Sequence, residues 1–190
     1  MRIPPRAVRW SFAASVVVAL LAGCARQPLA PVAHAPNTYD HPLFARVPDA
    51  AVTTGGDSLG PLTGSACIDG AQGGDVQVGR FHVIVPPGAF AGTATLSITI
   101  PDPAVVSCQL GISPPEANGF AVPVLLVADC AGVTNVDLAN CGTLWYDPSA
   151  DLWRTVSGTA VDLQNSTVTA KLPHFSEYGV ADLLEGKAGW

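Results

Sequence analysis

Short runs in which hydrophobic and polar residues alternate fill most of the chain after residue 62. The clearest run places Phe81, Val83 and Val85 on one face, and the stretch at 93–100 repeats the pattern. A period of two is typical of a β-strand with one buried face. Each run stops at turn-forming residues, such as the "PPG" that follows Val85. The pattern therefore predicts strands separated by tight turns.

The same pattern predicts the rest of the domain. "VVSCQLGI" (105–112) is a further strand, while Pro123 interrupts the run at 120–128 and favours an edge strand or a bulge there. Two hairpins are predicted, over 142–156 and 159–172, and a last strand follows at 176–182. About eight short strands without an amphipathic helix predict one all-β domain, a single antiparallel β-sandwich over residues 62–183.

The N-terminus has the pattern of an export signal. Three arginines precede an apolar run from Phe12 to Leu21, which is short for a membrane span. The "LAGC" that follows resembles the bacterial lipobox, whose cysteine carries a diacylglyceryl group after cleavage. The resemblance predicts a signal peptide at 1–23 and a lipid on Cys24. An ordinary signal peptide with a coincidental cysteine is the alternative. Ala25, in place of Asp, implies the outer membrane if the cell has one.

Two segments outside the sandwich lack a sustained apolar period. Residues 24–61 are rich in Pro, Ala, Gly and Thr, and are predicted to be a poorly ordered tether. His34 and His41 in it are interpreted as solvated rather than metal-binding. Residues 184–190 are predicted to be a loose tail.

Five cysteines become four when Cys24 is set aside. An even number in an exported chain indicates two disulfides, and no C-x-x-C spacing points to metal or redox chemistry. Four cysteines allow three connectivities. The favoured pairs are Cys130–Cys141, which would close a short segment between two strands, and Cys67–Cys108. Buried free thiols are the alternative.

Charge narrows the class of partner. The net charge is -6, and loss of the three arginines of the signal takes it to about -9. Such a surface repels phosphate backbones, so nucleic acid is excluded as an expected partner. The chain has no Walker loop, no H-E-x-x-H and no dinucleotide fingerprint, so no cofactor, metal or catalytic set is expected.

Three stretches together resemble a known family. "GGDVQVGRFHVIVPPGAFAGTATLSITIPD" is similar to the opening of ZU-five domains, the β-sandwich modules of netrin receptors, ankyrins and tight-junction scaffolds. "LWYDPSADLW" and "LPHFSEYGVAD" resemble the hairpin and last strand of secreted bacterial relatives. The resemblance covers about residues 65–182 and implies the fold more than a function.

Some ZU-five modules cleave themselves at a His-Phe-Ser triplet, here His174, Phe175 and Ser176. By this resemblance, the Ser176 hydroxyl would attack the Phe175 carbonyl, His174 would take the proton and His82 would be a second imidazole. Against this, only residues 176–190 follow the cut, so its release has no evident use. The favoured interpretation is structural, with Phe175 and Tyr178 as core or cross-strand aromatics.

These observations predict a non-enzymatic lipoprotein of the bacterial cell envelope. Its sandwich would bind an envelope or extracellular protein or glycan, or act as a spacer, while the lipid on Cys24 holds it to the membrane. Self-processing between Phe175 and Ser176 is the alternative function.

Overall fold

A computed structural model describes residues 38–48, 53–54, 57–58 and 60–184. The predicted signal peptide, Cys24 and residues 185–190 of the predicted tail lie outside the described residues. Within them the chain forms fourteen strands and two short 3-10 helices, Pro115–Ala117 and Leu138–Asn140. In chain order the strands are β1 Thr38–Tyr39, β2 Thr53–Thr54, β3 Asp57–Ser58, β4 Leu62–Asp69, β5 Gly74–Val78, β6 Phe81–Val85, β7 Thr93–Ile100, β8 Ser107–Ser113, β9 Val124–Asp129, β10 Cys141–Asp147, β11 Leu152–Thr155, β12 Ala160–Asp162, β13 Thr167–Leu172 and β14 Glu177–Asp182.

The strands form two large antiparallel sheets that share one core. The seven-stranded sheet has the order β1-β11-β10-β14-β8-β7-β4, and the five-stranded sheet has the order β12-β13-β9-β6-β5. A separate two-stranded pair joins β2 and β3. Buried side chains of both large sheets belong to a single hydrophobic cluster. The predicted all-β, antiparallel, sandwich-like fold is thus confirmed.

The alternating positions of the sequence line this core. Phe81, Val83 and Val85 of β6 are buried, as are the alternating residues of β7. Each fully buried aliphatic or aromatic side chain stabilises the fold by roughly 1.5–3 kcal/mol. At the start of β5, Gly73 has a φ of 73°, and a Cβ there would lie 2.4 Å from the Val85 carbonyl oxygen. The Gly-Gly turn therefore needs a glycine both for its conformation and for its space.

Pro123 does not mark an edge strand. β9 begins one residue later, at Val124, and lies in the middle of the five-stranded sheet between β13 and β6. The expectation of an edge or a bulge was wrong because the proline precedes the strand. Its missing N–H is therefore not required by the hydrogen-bond ladder.

Residues 38–48, which we call the N-terminal strap, pack on the seven-stranded sheet rather than belonging to a free tether. Thr38 pairs with Arg154 of β11, which makes β1 the edge strand. Ala45 donates its N–H to the Val180 carbonyl at 2.8 Å and accepts from the Val106 N–H at 2.9 Å. The prediction of a poorly ordered tether over residues 24–61 is therefore wrong for residues 38–48, which are hydrogen-bonded to the sheet.

A second, smaller core lies under the strap on the outer face of the seven-stranded sheet. Tyr39 is buried there with Leu144 and Ala181. The Phe44 ring lies edge-on to Trp153, with 4.7 Å between centroids. This apolar contact supplies the burial that a solvated tether would lack.

Candidate functional site

A cleft of about 310 Å³ opens at an edge of the sandwich, beside the His-Phe-Ser triplet. Residues of both large sheets and of the segments next to them form its wall. We call it the Trp145 cleft. It is lined by Pro123, Trp145, Thr155, Val156, Ser157, Lys171, Pro173, His174 and Tyr178.

The floor of the cleft is aromatic and held in place. Trp145 of β10 packs against the main core and pairs across the sheet with Tyr178 of β14. The Tyr178 hydroxyl donates to the His174 carbonyl oxygen at 2.6 Å, which fixes the segment before β14. The His174 ring then stands edge-on to Trp145, with 4.9 Å between centroids. The rings of Trp145, Tyr178 and His174 are therefore all held by contacts within the protein itself.

The polar groups of the cleft are basic or neutral. Lys171, on β13, is exposed, while its neighbours Ala170 and Leu172 are buried. The imidazole of His174 and the hydroxyls of Thr155 and Ser157 complete the polar lining. No Asp or Glu is among the lining residues.

The Phe175 peptide is held by Asn118, a residue that sequence reasoning did not connect to the triplet. The Phe175 N–H donates to Asn118 Oδ1 at 2.6 Å, and Asn118 Nδ2 donates to the Phe175 carbonyl oxygen at 3.1 Å. The Phe175 ring is buried and meets Phe120 edge-on at 4.9 Å. Asn118 lies 57 residues before Phe175, where its Asn-Gly pair indicates only a turn.

In the structure the Ser176 hydroxyl is engaged by the main chain of a neighbouring strand rather than by His174. Ser176 Oγ donates to the Tyr146 carbonyl oxygen at 2.9 Å, so its proton is bonded to the main chain. His174 Nδ1 lies 3.4 Å from the Phe175 carbonyl oxygen. The Asn118 amide on the Phe175 carbonyl oxygen could act as an oxyanion partner, but within the described part of the chain the serine hydroxyl bonds to the main chain and to no base. This geometry fits the structural interpretation of the triplet.

His82 is not close to the triplet. It lies on β6 between the buried Phe81 and Val83, so its side chain is on the outer face of the five-stranded sheet. There its Nε2 lies 3.0 Å from Asp75 Oδ2. Ser176 precedes β14, which belongs to the other large sheet. The implied role as a second imidazole is therefore corrected.

The predicted pair Cys67–Cys108 was wrong. Cys67 lies opposite Thr95, and Thr95 lies opposite Ser113, five residues along β8 from Cys108. Two strand spacings of about 4.8 Å and a shift of roughly 17 Å along β8 separate the two cysteines. A disulfide needs Cα atoms within about 7 Å.

All four cysteines in the described part of the chain are free thiols. Burial, followed by neighbouring charges that include Asp182 and the Cys130 thiolate, raises the pKa of Cys141 to about 12. Burial likewise raises the pKa of Cys130 to about 11. Both thiols lie in the main core and are not bonded to each other in this structure, so the pair Cys130–Cys141 stays a prediction.

A second, wider cleft of about 560 Å³ lies between residues 88–91 and 114–121 and is lined mainly by small residues. Among the described residues, no group of three or more His, Cys, Asp or Glu side chains is placed to hold a metal ion. The same residues include no helix of the length and hydropathy that a membrane crossing needs.

Comparison with models of known protein families finds no match, and comparison with curated proteins finds no significant similarity.

Proposed function

We propose that this chain is a lipid-anchored protein of the bacterial cell envelope whose β-sandwich is a non-catalytic binding module, with the Trp145 cleft as its binding site. The observation that carries the binding role is the preformed aromatic floor of the cleft. Ligand sites are typically concave, mostly apolar and lined by a few polar groups. The export signal with "LAGC" supports the anchor at Cys24.

The engagement of Ser176 Oγ with a main-chain carbonyl supports a non-catalytic role. Nucleophilic catalysis requires a hydroxyl within hydrogen-bond reach of a base. The motifs in residues 65–182 that resemble ZU-five domains agree with an interaction module. A chain tethered through Cys24 would present the cleft to envelope or extracellular partners.

Chemical-shift mapping with a mixed set of neutral and charged ring compounds tests the binding role. The full mature chain with Cys24→Ser is the sample. We expect saturable shifts at Trp145 and its neighbours. Ser157 is exposed at the cleft, so Ser157→Trp should fill it and abolish the shifts. Ser65→Trp, at an exposed position on the edge strand β4, is the matched control. Shifts that survive Ser157→Trp would overturn the assignment of the cleft.

Self-cleavage is the second candidate function, and the contact of Asn118 Nδ2 with the Phe175 carbonyl oxygen favours it. Attack by Ser176 Oγ would break the Phe175–Ser176 amide, give an ester and free the Ser176 amine. Water would then hydrolyse the ester. Two fragments whose masses sum to the chain plus one water, absent in Ser176→Ala, would establish the reaction. A single intact mass after long incubation would exclude it.

A further inference from the structure

We propose that the outer face of the five-stranded sheet binds a second copy of this chain, about a twofold axis that runs parallel to the strands between β9 and β6. We call this surface, formed by β5, β6, β9 and β13, the open face. The outer face of the seven-stranded sheet, by contrast, carries the N-terminal strap. The inference does not depend on the binding role of the Trp145 cleft.

The first support is an apolar patch at the centre of the open face. Ile84 of β6 and Leu125 of β9 lie directly opposite each other, and Val127 follows on the same face of β9. All three are partly exposed and alternate with buried residues, so their side chains are directed away from the core. Among the described residues, none of the hydrophobic clusters includes them. Covering this patch would remove apolar surface from water.

The second support is the order of charges along one row that crosses the sheet. Lys171 of β13 pairs with Leu125 of β9. Leu125 pairs with Ile84 of β6, and Ile84 pairs with Asp75 of β5. Lys171 and Asp75 are exposed and each adjoins a buried residue of its strand, which places both on the open face. The row therefore has a cation at one end, two aliphatic side chains in the middle and an anion at the other end.

This order selects the axis. An isologous contact brings the same surface of two copies together, so the surface must be complementary to itself. The proposed axis reverses the row, so that Lys171 faces Asp75 of the partner subunit and Leu125 faces the partner's Ile84. An axis along the row would instead place two lysines opposite each other. Like charges in such positions oppose association, so the first arrangement is favoured.

A second pair of charges follows the same symmetry. The Asp129 N–H, at the end of β9, donates to the carbonyl oxygen of Arg80, just before β6, at 2.8 Å, so the two residues lie opposite each other. Because the axis exchanges β9 with β6, Asp129 would face Arg80 of the partner subunit. Complementary charges around an apolar centre are the usual anatomy of a protein interface. They also offset the repulsion between two copies of an acidic chain, whose net charge is -6.

The size of the open face predicts a weak dimer. Four strands about 4.8 Å apart form a patch roughly 15–20 Å wide. Stable interfaces bury about 800 Å² on each partner, so a patch of this width suits a transient contact. Two chains anchored through Cys24 in one membrane would meet at a raised effective concentration, which favours such a contact.

Sedimentation equilibrium of the full mature chain with Cys24→Ser tests the dimer. A reductant is included because Cys67 is an exposed free thiol. We expect a monomer–dimer equilibrium with a Kd between about 1 μM and 1 mM. Leu125→Glu places a carboxylate at the centre of the interface and should weaken association at least tenfold. Leu184→Glu, at an exposed position after β14, is the matched control. A chain that stays monomeric at about 1 mM, or a dimer that Leu125→Glu leaves unchanged, would overturn the inference.

Charge exchange tests the symmetry on its own. Lys171→Asp and Asp75→Lys should each weaken self-association, because each places like charges opposite each other twice in the dimer. An equimolar mixture of the two variants should associate about as tightly as the unmodified chain, since the mixed dimer has one native and one exchanged pair. Within one chain the two residues are three strand spacings apart, roughly 14 Å, which is too far for an ion pair. Failure of the mixture to recover association would therefore overturn the proposed arrangement.

Discussion

Asn118 fixes a buried peptide at the scale of a single residue. Its amide satisfies both the N–H and the carbonyl oxygen of Phe175, whose side chain is buried in the core. Peptide groups that lose their partners on burial are costly, because they cannot recover the hydrogen bonds that they made with water. The side chain therefore stabilises the segment between β13 and β14, which also positions His174 at the Trp145 cleft.

Replacement of Asn118 tests this role. Asn118→Ala should lower the free energy of unfolding by about 1–3 kcal/mol, because two peptide groups lose their partner. Asn118→Asp can still accept from the Phe175 N–H but cannot donate to its carbonyl, so we expect a smaller loss. Urea unfolding measures both. Gln164→Ala, in an exposed turn, is the control and should change stability by less than about 0.5 kcal/mol. Equal stability of Asn118→Ala and the control would refute the role.

At the scale of the element, the N-terminal strap depends on a glycine in β14. A Cβ on Gly179 would overlap the Phe44 ring, most severely at Cε1. The bare backbone of Gly179 therefore leaves the space in which Phe44 lies. Phe44 also forms a β-bridge with Ala181, so its ring cannot move away without disturbing the strap.

Gly179→Val should displace the strap. Overpacking of this kind costs about 1–3 kcal/mol, and a β-branched residue does not otherwise disfavour a strand. Thermal unfolding and limited proteolysis over residues 38–48 report the effect. Gly60→Val has open space around its new side chain and is the control. The double variant with Phe44→Ala should recover part of the loss due to Gly179→Val. Strict additivity of the two changes would contradict direct contact.

At the scale of the whole molecule, two carboxyl groups give stability opposite dependences on pH. Hydrogen bonds from Ser149 and Arg154 lower the pKa of Asp147 below its usual 3.8. Its stabilisation is therefore present above pH 3.8 and is lost as the pH falls through the lower folded value. Burial raises the pKa of Glu177 above its usual 4.5, so ionisation of Glu177 opposes folding as the pH rises through that range.

The two groups can be separated by thermal unfolding between about pH 3 and pH 7. Asp147→Asn should lower Tm at neutral pH, and the difference from the unmodified chain should shrink in acid. Glu177→Gln should raise Tm at neutral pH and have little effect in acid. Parallel curves for either variant would show that its carboxyl has the same pKa in the folded and unfolded chain.

Local patterns in the sequence predicted the features that neighbouring residues determine, namely the buried face of a strand and the position of a turn. Alternation identified the buried face of β6, and the turn residues after Val85 identified where that strand ends. Strand order was beyond such patterns, because pairing of β14 with both β10 and β8 joins distant segments. The pairing of Cys67 with Cys108 failed for this reason. The triplet at 174–176 was visible as a motif, whereas Asn118, its main contact, was separated from it by 57 residues.

The packing of the N-terminal strap was also not predicted from the sequence. Residues 24–61 as a whole are rich in Pro, Ala, Gly and Thr and have no sustained apolar period, which indicates a tether. Tyr39, Ala45 and Val47 are nevertheless buried, because the sheet offers complementary positions that a single sequence cannot show. A site made by several strands, such as the Trp145 cleft, is unpredictable for the same reason.

The position of the strap has a consequence for the order in which the protein is assembled. The Tyr39 hydroxyl bonds to the Leu183 carbonyl oxygen, 144 residues further along the chain. A chain that leaves the ribosome, or crosses a membrane, from its N-terminus therefore exposes Tyr39 and Phe44 long before β10 and β14 exist to receive them. Contacts of such high sequence separation form slowly. The segment that emerges early would thus be among the last to dock, completing the fold only when its C-terminal strand is in place.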